Sequence, residues 1–223
     1  MNNRSERAMD FWRRVSMRAL QGLLRLAVWR RYAGLGHIPR HGGVIIVANH
    51  VSKVDSLVLA GFVGAAGRWP RFLAKAPLFD VPLLGRFLLT MRQIPVNRGA
   101  ADAGDALVVA AEAVRAGDVV VFYPEGGTPK PWESTPPKGK TGAARLRLST
   151  GAPVVPVASW GPQHILDPAT GRFRLRLRTR VTVLAGPPLR ISQEDDVRAI
   201  IEEIMRALRH LAREAEEGKS LRT

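Results

Sequence analysis

Apolar positions follow two rhythms along this chain, one helical and one of short unbroken runs. Over residues 8–32, Trp12, Val15, Ala19, Leu20, Leu23, Leu24 and Ala27 recur at helical spacing. Arg7, Arg14, Arg18 and Arg25 fall on an opposing face, and Arg30 and Arg31 close the segment, which predicts a basic amphipathic helix. Residues 43–48 (GVIIVA) are a continuous apolar run of strand length, as expected of a buried strand, and 71–74, 119–122 and 153–158 are predicted as further short strands, 119–122 among them buried. Helices are predicted over 56–66, within 77–90, over 102–116 and over 141–150, the last two stopped by Gly117 and Gly151. Residues 172–184 alternate instead. Phe173, Leu175, Leu177, Thr179, Val181 and Val183 face one way, and Arg172, Arg174, Arg176, Arg178 and Arg180 the other. This predicts a half-buried strand with a cationic outer face, either a solvated edge that resists aggregation or a strip for phosphates. Ser192 is the predicted cap of a final helix whose apolar face is Val197, Ile200, Ile201, Ile204, Leu208 and Leu211.

Strands alternating with helices predict an α/β fold, a central mixed sheet covered by helices. The expected organisation is an N-terminal amphipathic membrane-surface helix in residues 1–35, an α/β domain over 36–217 and a tail over 218–223. Charge sharpens this. Lys and Arg number 34 against 19 Asp and Glu, a formal net charge of +15, so the protein seeks anions. Aromatic residues are sparse and no base-stacking module is visible, which argues against nucleic acid. The chain has no cysteine, which excludes disulfides and thiolate chemistry. No uncharged apolar run, such as the 12 residues of 56–67, reaches the roughly 18 that a spanning helix needs. Arginines interrupt the first apolar segment, so no signal peptide is expected. The expected location is the cytoplasmic face of the cell membrane, peripheral or monotopic, with an anionic membrane surface as partner.

The run GVIIVA leads directly into Asn49-His50-Val51-Ser52-Lys53-Val54-Asp55-Ser56. On one continuous helix, residues five apart do not share a face. Where a strand turns into a helix, His50 and Asp55 can meet. A carboxylate on one ring nitrogen fixes the imidazole tautomer and leaves the other nitrogen as a base near neutral pH. Taken alone, the pair reads more readily as a helix-capping Asp beside an unrelated His. Three further segments sit at predicted strand ends: Arg98 in Ile94-Pro95-Val96-Asn97-Arg98-Gly99, the stretch Phe122-Tyr123-Pro124-Glu125-Gly126-Gly127-Thr128, and Val154-Val155-Pro156-Val157. Strand ends are where open α/β sheets bind ligands. No His/Asp/Glu cluster has metal-ligand spacing, so no metal is expected.

In order, these segments resemble the four motifs of the glycerol-phosphate and lysophosphatidate acyltransferase family. His50 to Asp55 is similar to its H-x4-D motif, and Arg98 stands where its second motif has an arginine. Tyr123-Pro124-Glu125-Gly126 is similar to its Phe-Pro-Glu-Gly-Thr-Arg, and residues 154–157 to its apolar Val-Pro stretch. The resemblance implies His50 and Asp55 as catalytic residues. It implies acyl-CoA or acyl carrier protein as the co-substrate donor, with no cofactor, and lysophosphatidate as the acceptor, giving phosphatidate. Arg98, Glu125, Gly126, Gly127 and Thr128 are the implied substrate-binding residues. Where the family has Thr-Arg, this chain has Gly127-Thr128, so Lys75, Lys140 or Lys130 is expected to replace the missing charge. Glu125 is expected to meet a glycerol hydroxyl or to position a cation. Leu57, Leu59, Phe62, Leu78, Phe79, Leu83, Leu84 and Phe87 are candidates for an acyl groove. Direct transfer is expected, with an acyl-serine at Ser52 or Ser56 left open. The alternatives are another acceptor (glycerol-3-phosphate, a lysophospholipid or a glycolipid precursor) and a non-enzymatic basic membrane adaptor.

Overall fold

The unbroken apolar runs become strands covered on both faces. The computed structural model describes residues 3–97, 102–127, 139–174 and 178–218. Its elements are α1 (Asn3–Ala27), β1 (Val28–Ala33), β2 (Val44–Ala48), α2 (Asp55–Ala65), β3 (Pro70–Lys75), α3 (Leu84–Thr90), β4 (Ile94–Val96), α4 (Asp102–Arg115), β5 (Val119–Phe122), α5 (Gly142–Thr150), β6 (Val154–Trp160), β7 (Thr179–Ala185) and α6 (Val197–Glu216). The sheet has seven strands in the order β1-β7-β6-β2-β5-β3-β4. Neighbours are parallel except β6 and β7, so the sheet is mixed, as expected. Residues of β2 show why no polar position interrupts it. Ile45 and Val47 enter a core shared with α4, α5 and α6, while Val44 and Ile46 enter one shared with α1 and α2. Each such side chain contributes about 1.5–3 kcal/mol on burial, which makes the middle of the sheet a rigid base. Because β2, β3, β4, β5 and β6 run the same way, their C-terminal ends share one edge.

Several predicted elements need correction. The first helix stops at Ala27, and residues 28–33 form β1, an edge strand paired with β7. The apolar stripe of α1 is also split. Met17, Leu20 and Leu24 turn inward, with Met17 against Gly64 and Leu24 against Gly61 of α2, while Trp12, Val15 and Leu23 face outward. The arginine-alternating segment is a strand only from Thr179. It is no edge, because β1 lies outside it, and its last residues are buried on both faces, Thr182 and Leu184 as fully as Val181 and Val183. Arg178 takes a left-handed φ of 64°, and residues 175–177 lie outside the described residues. Ser192 does not cap α6. Asp196 does, its carboxylate accepting from the Ala199 amide at 2.7 Å, while the Ser192 hydroxyl accepts from Glu194. The segment 77–90 does contain a helix, α3, reached through a 3-10 turn at Ala76–Leu78.

Candidate active site

At the end of β2 the chain leaves the sheet under tight control. The Asn49 side chain donates to Ser159 O at 3.0 Å and accepts from the Ser159 amide at 2.8 Å, so one buried amide ties β2 to β6. Immediately after it, His50 Nδ1 lies 3.0 Å from Asp55 Oδ2. The turn that closes this gap is held by the Ser52 amide, which donates to the same Oδ2 at 2.8 Å. Asp55 opens α2, where the helix N-terminus favours an anion. The His50 side chain is 20% exposed and Asp55 only 1%. Burial pushes the Asp55 carboxyl above the usual carboxylate range, and the His50 and Ser52 bonds oppose that rise.

Glu125 approaches from the loop after β5, its Oε2 accepting from the His50 backbone amide at 3.1 Å. Burial raises its carboxyl too, against the pull of the His50 N–H. Tyr123 stacks on the His50 ring with centroids 4.4 Å apart and planes at 25°, and on Phe72 at 6.3 Å and 12°. Gly126 takes φ 77°, closed to most side chains, and the stem of Lys140 lies where a Cβ would be. The Lys140 amide donates to Pro124 O at 2.6 Å, which draws this lysine onto the loop. Lys75 ends β3 on the same sheet edge, paired in register with Val96. Arg98, Thr128 and Lys130 lie outside the described residues.

Ser52 is fully buried, and its hydroxyl donates to Leu166 O at 2.7 Å. It fastens the turn rather than presenting a nucleophile. Of the groove candidates, Leu59 and Phe62 belong to the core, whereas Leu57, Leu78, Leu83, Leu84 and Phe87 are exposed. The role of Asn49 and the backbone bond of Glu125 were not foreseen. Asn49 abuts the His50 motif, and an Asn where β2 leaves the sheet was a signal available in the sequence.

Residues 30–160 match the family model described as acyltransferase. A chloroplastic 1-acyl-sn-glycerol-3-phosphate acyltransferase, BAT2, of Brassica napus is 30% identical over 152 residues, covering 68% of this chain and 42% of that protein. The 1-acyl-sn-glycerol-3-phosphate acyltransferase of Borreliella burgdorferi is 27% identical over 157 residues, covering 68% of this chain and 61% of its own length. The chain thus spans about half the length of these curated relatives. Among solved structures, the 1-acyl-sn-glycerophosphate (LPA) acyltransferase PlsC from Thermotoga maritima superposes with a TM-score of 0.70 at 24% identity, over 100% of this chain and 86% of that one, a likeness of fold.

Proposed function

The chain belongs to the acyltransferase family, and on that premise we propose that it is a 1-acylglycerol-3-phosphate O-acyltransferase, moving a fatty acyl group from an acyl thioester to the free hydroxyl of lysophosphatidate to give phosphatidate. One observation carries the reading: His50 Nδ1 is bound to a buried carboxylate, which leaves Nε2 as the base on a partly exposed ring at the ligand-binding edge of the sheet. Nε2 takes the proton of the acceptor hydroxyl as its oxygen attacks the thioester carbon. The imidazolium, stabilised by Asp55, returns the proton to the departing thiolate as the C–S bond breaks. The His50, Ser52 and Gly126 amides already have acceptors, respectively Glu125, Asp55 and Tyr123 O. Gly127 is therefore the amide we assign to the developing oxyanion.

Direct transfer suits this site better than an acyl-serine, since the Ser52 hydroxyl is sealed against Leu166. Glu125 acts here by holding the His50 backbone, a narrower role than contact with a glycerol hydroxyl. Lys140 and Lys75, with Arg98, are assigned to the acceptor phosphate, guanidinium and ammonium groups being its natural partners. The donor is acyl-CoA or acyl carrier protein, and no cofactor is involved. The absence of an arginine at 127 or 128 favours a second reading, in which the acceptor carries a different headgroup.

Membrane docking belongs to the same proposal. Among the described residues no helix is long and apolar enough to cross a membrane. On α1, however, Trp12 is 57% and Leu26 78% exposed, beside Phe11, Val15 and Leu23. With Arg14, Arg18 and Arg25 on the same helix, this face suits the surface of an anionic bilayer. We place the protein on the cytoplasmic face, peripheral or monotopic.

The deciding experiment measures free thiol released from palmitoyl-CoA with lysophosphatidate, and the product mass, for wild type and His50→Ala. Acceptor-dependent thiol release that falls at least about a hundredfold in the variant is expected. Equal rates would end the proposal. A product formed only from another acceptor would select the second reading.

A further inference from the structure

Tyr123 stands where the third motif of the family has phenylalanine, so this chain carries one more hydroxyl at that point. Nothing in the acyl transfer derived above uses it. The hydroxyl is buried and has no hydrogen-bond partner among the described residues, and the same holds for Asp55 Oδ1. Tyr123 and Asp55 both line one small, largely apolar cavity, walled also by Ala48, Asn49, Leu59, Val157 and Ser159, with room for about one water molecule. Buried polar atoms of this kind are nearly always paired, through ordered water where not directly.

We propose that Tyr123 is a positioning residue for the His50–Asp55 pair, its hydroxyl donating to a single water that in turn donates to Asp55 Oδ1. The carboxylate then has a donor on each oxygen: His50 and Ser52 on Oδ2, the water on Oδ1. The ring fixes the imidazole plane from one side by stacking, and the hydroxyl keeps the partner carboxylate ionised despite its burial. The other titratable groups acting on the pair are Glu125, bound to the His50 amide, and the Tyr123 phenol, which burial and the Asp55 charge raise well above its ordinary range.

The inference rests on His50 being the base, and its sign can be worked out. A donor on Oδ1 stabilises the lone carboxylate more than the carboxylate already paired with an imidazolium. Losing it favours protonation of the pair. In Tyr123→Phe the stack survives, so fold and KM should hold. The kcat should fall roughly three- to tenfold. The acid limb of the kcat profile and the NMR titration of His50 should both move upward, by roughly half a pH unit. Unmoved limb and titration would overturn the proposal. So would a high-resolution crystal structure in which the Tyr123 hydroxyl binds a different acceptor. The NMR titration needs no turnover. A shifted His50 titration in a protein whose thiol release ignores His50→Ala would therefore sink the acyl-transfer reading and leave this one standing.

Discussion

The proposed mechanism needs Asp55 charged in a place that disfavours charge. Burial raises its carboxyl, and only the His50 and Ser52 donors, with a smaller contribution from the Val51 amide, pull it back. A folded-state pKa above the unfolded one means that the native protein binds the proton more tightly. The strain is therefore present at neutral pH, and is relieved as the pH falls through the raised value toward the ordinary carboxylate range. Asp55→Asn keeps an acceptor for both donors and removes the charge. The variant should melt above wild type at pH 7 to 8, with the gap closing toward pH 4. Its kcat should fall about a thousandfold or more, because a neutral amide cannot stabilise the imidazolium that forms. Melting curves across pH and steady-state rates check the two halves, and a variant that melts lower at every pH would contradict the burial argument. The side chains of this site were legible as types in a row: His50, Asp55, Glu125 and Gly126 announce themselves by motif. Their partners were not. Glu125 binds a main-chain amide, which no side-chain pattern reveals, and Ser52 reaches a carbonyl 114 residues away.

Legibility among the elements tracked how much apolar surface each strand buries. The central strands β2 and β5 are apolar throughout, β6 is so as far as Ala158, and all three stood out, whereas the edges β1 and β4 did not. In β1 the buried Val28 alternates with exposed Trp29 and Arg31, a six-residue signal that merges with the helical rhythm before it. β4 has three residues, one of them a proline, tolerable only at an edge. This has a practical consequence for α1. Removing residues 1–32 would strip most of a strand from the sheet along with the proposed membrane face. Substitutions at the α1–α2 contact separate the two. A Cβ on Gly61 would lie 2.3 Å from Leu24 Cδ1, in a buried side chain, and 3.2 Å from the Tyr32 hydroxyl. A Cβ on Gly64 would meet Met17, an unbranched side chain with more freedom to swing aside. Alanine also gains up to about 1 kcal/mol in helix propensity. Gly64→Ala should be near neutral, and Gly61→Ala should cost about 1–3 kcal/mol. Urea midpoints give both values, and equal effects would mean that α1 does not dock as described.

On the scale of the whole molecule, the apolar surface and the catalytic edge are joined by contacts that leave little slack. Arg13 of α1 donates to Thr90 O at the end of α3, and Met17 and Leu24 seat α1 on α2, which begins at Asp55. Exposed apolar side chains belong to all three helices or their approaches: Phe11, Trp12 and Leu26 on α1, Leu57 two residues past Asp55, Leu83 and Phe87 at α3. On the proposed docking, a bilayer that received α1 would meet the approach to His50 as well, and the net charge of +15 would favour anionic lipid before any apolar contact formed. The two forces separate by salt. Arginine attraction weakens as the Debye length falls from about 10 Å at 0.1 M to about 3 Å at 1 M, and apolar insertion does not. Trp12→Glu combined with Leu26→Glu leaves the packed face of α1 intact, so the fold should survive. Binding to vesicles containing phosphatidylglycerol should drop at least tenfold and retain only a salt-sensitive remnant. Turnover of vesicle-borne lysophosphatidate should fall in step, whereas turnover of a short-chain acceptor dispersed as monomers should not. If both substrates slowed equally, the lost side chains would be serving the site itself; if neither slowed, the contact with lipid would lie on a different face, and the exposed arginines beside β7 would be the next surface to neutralise.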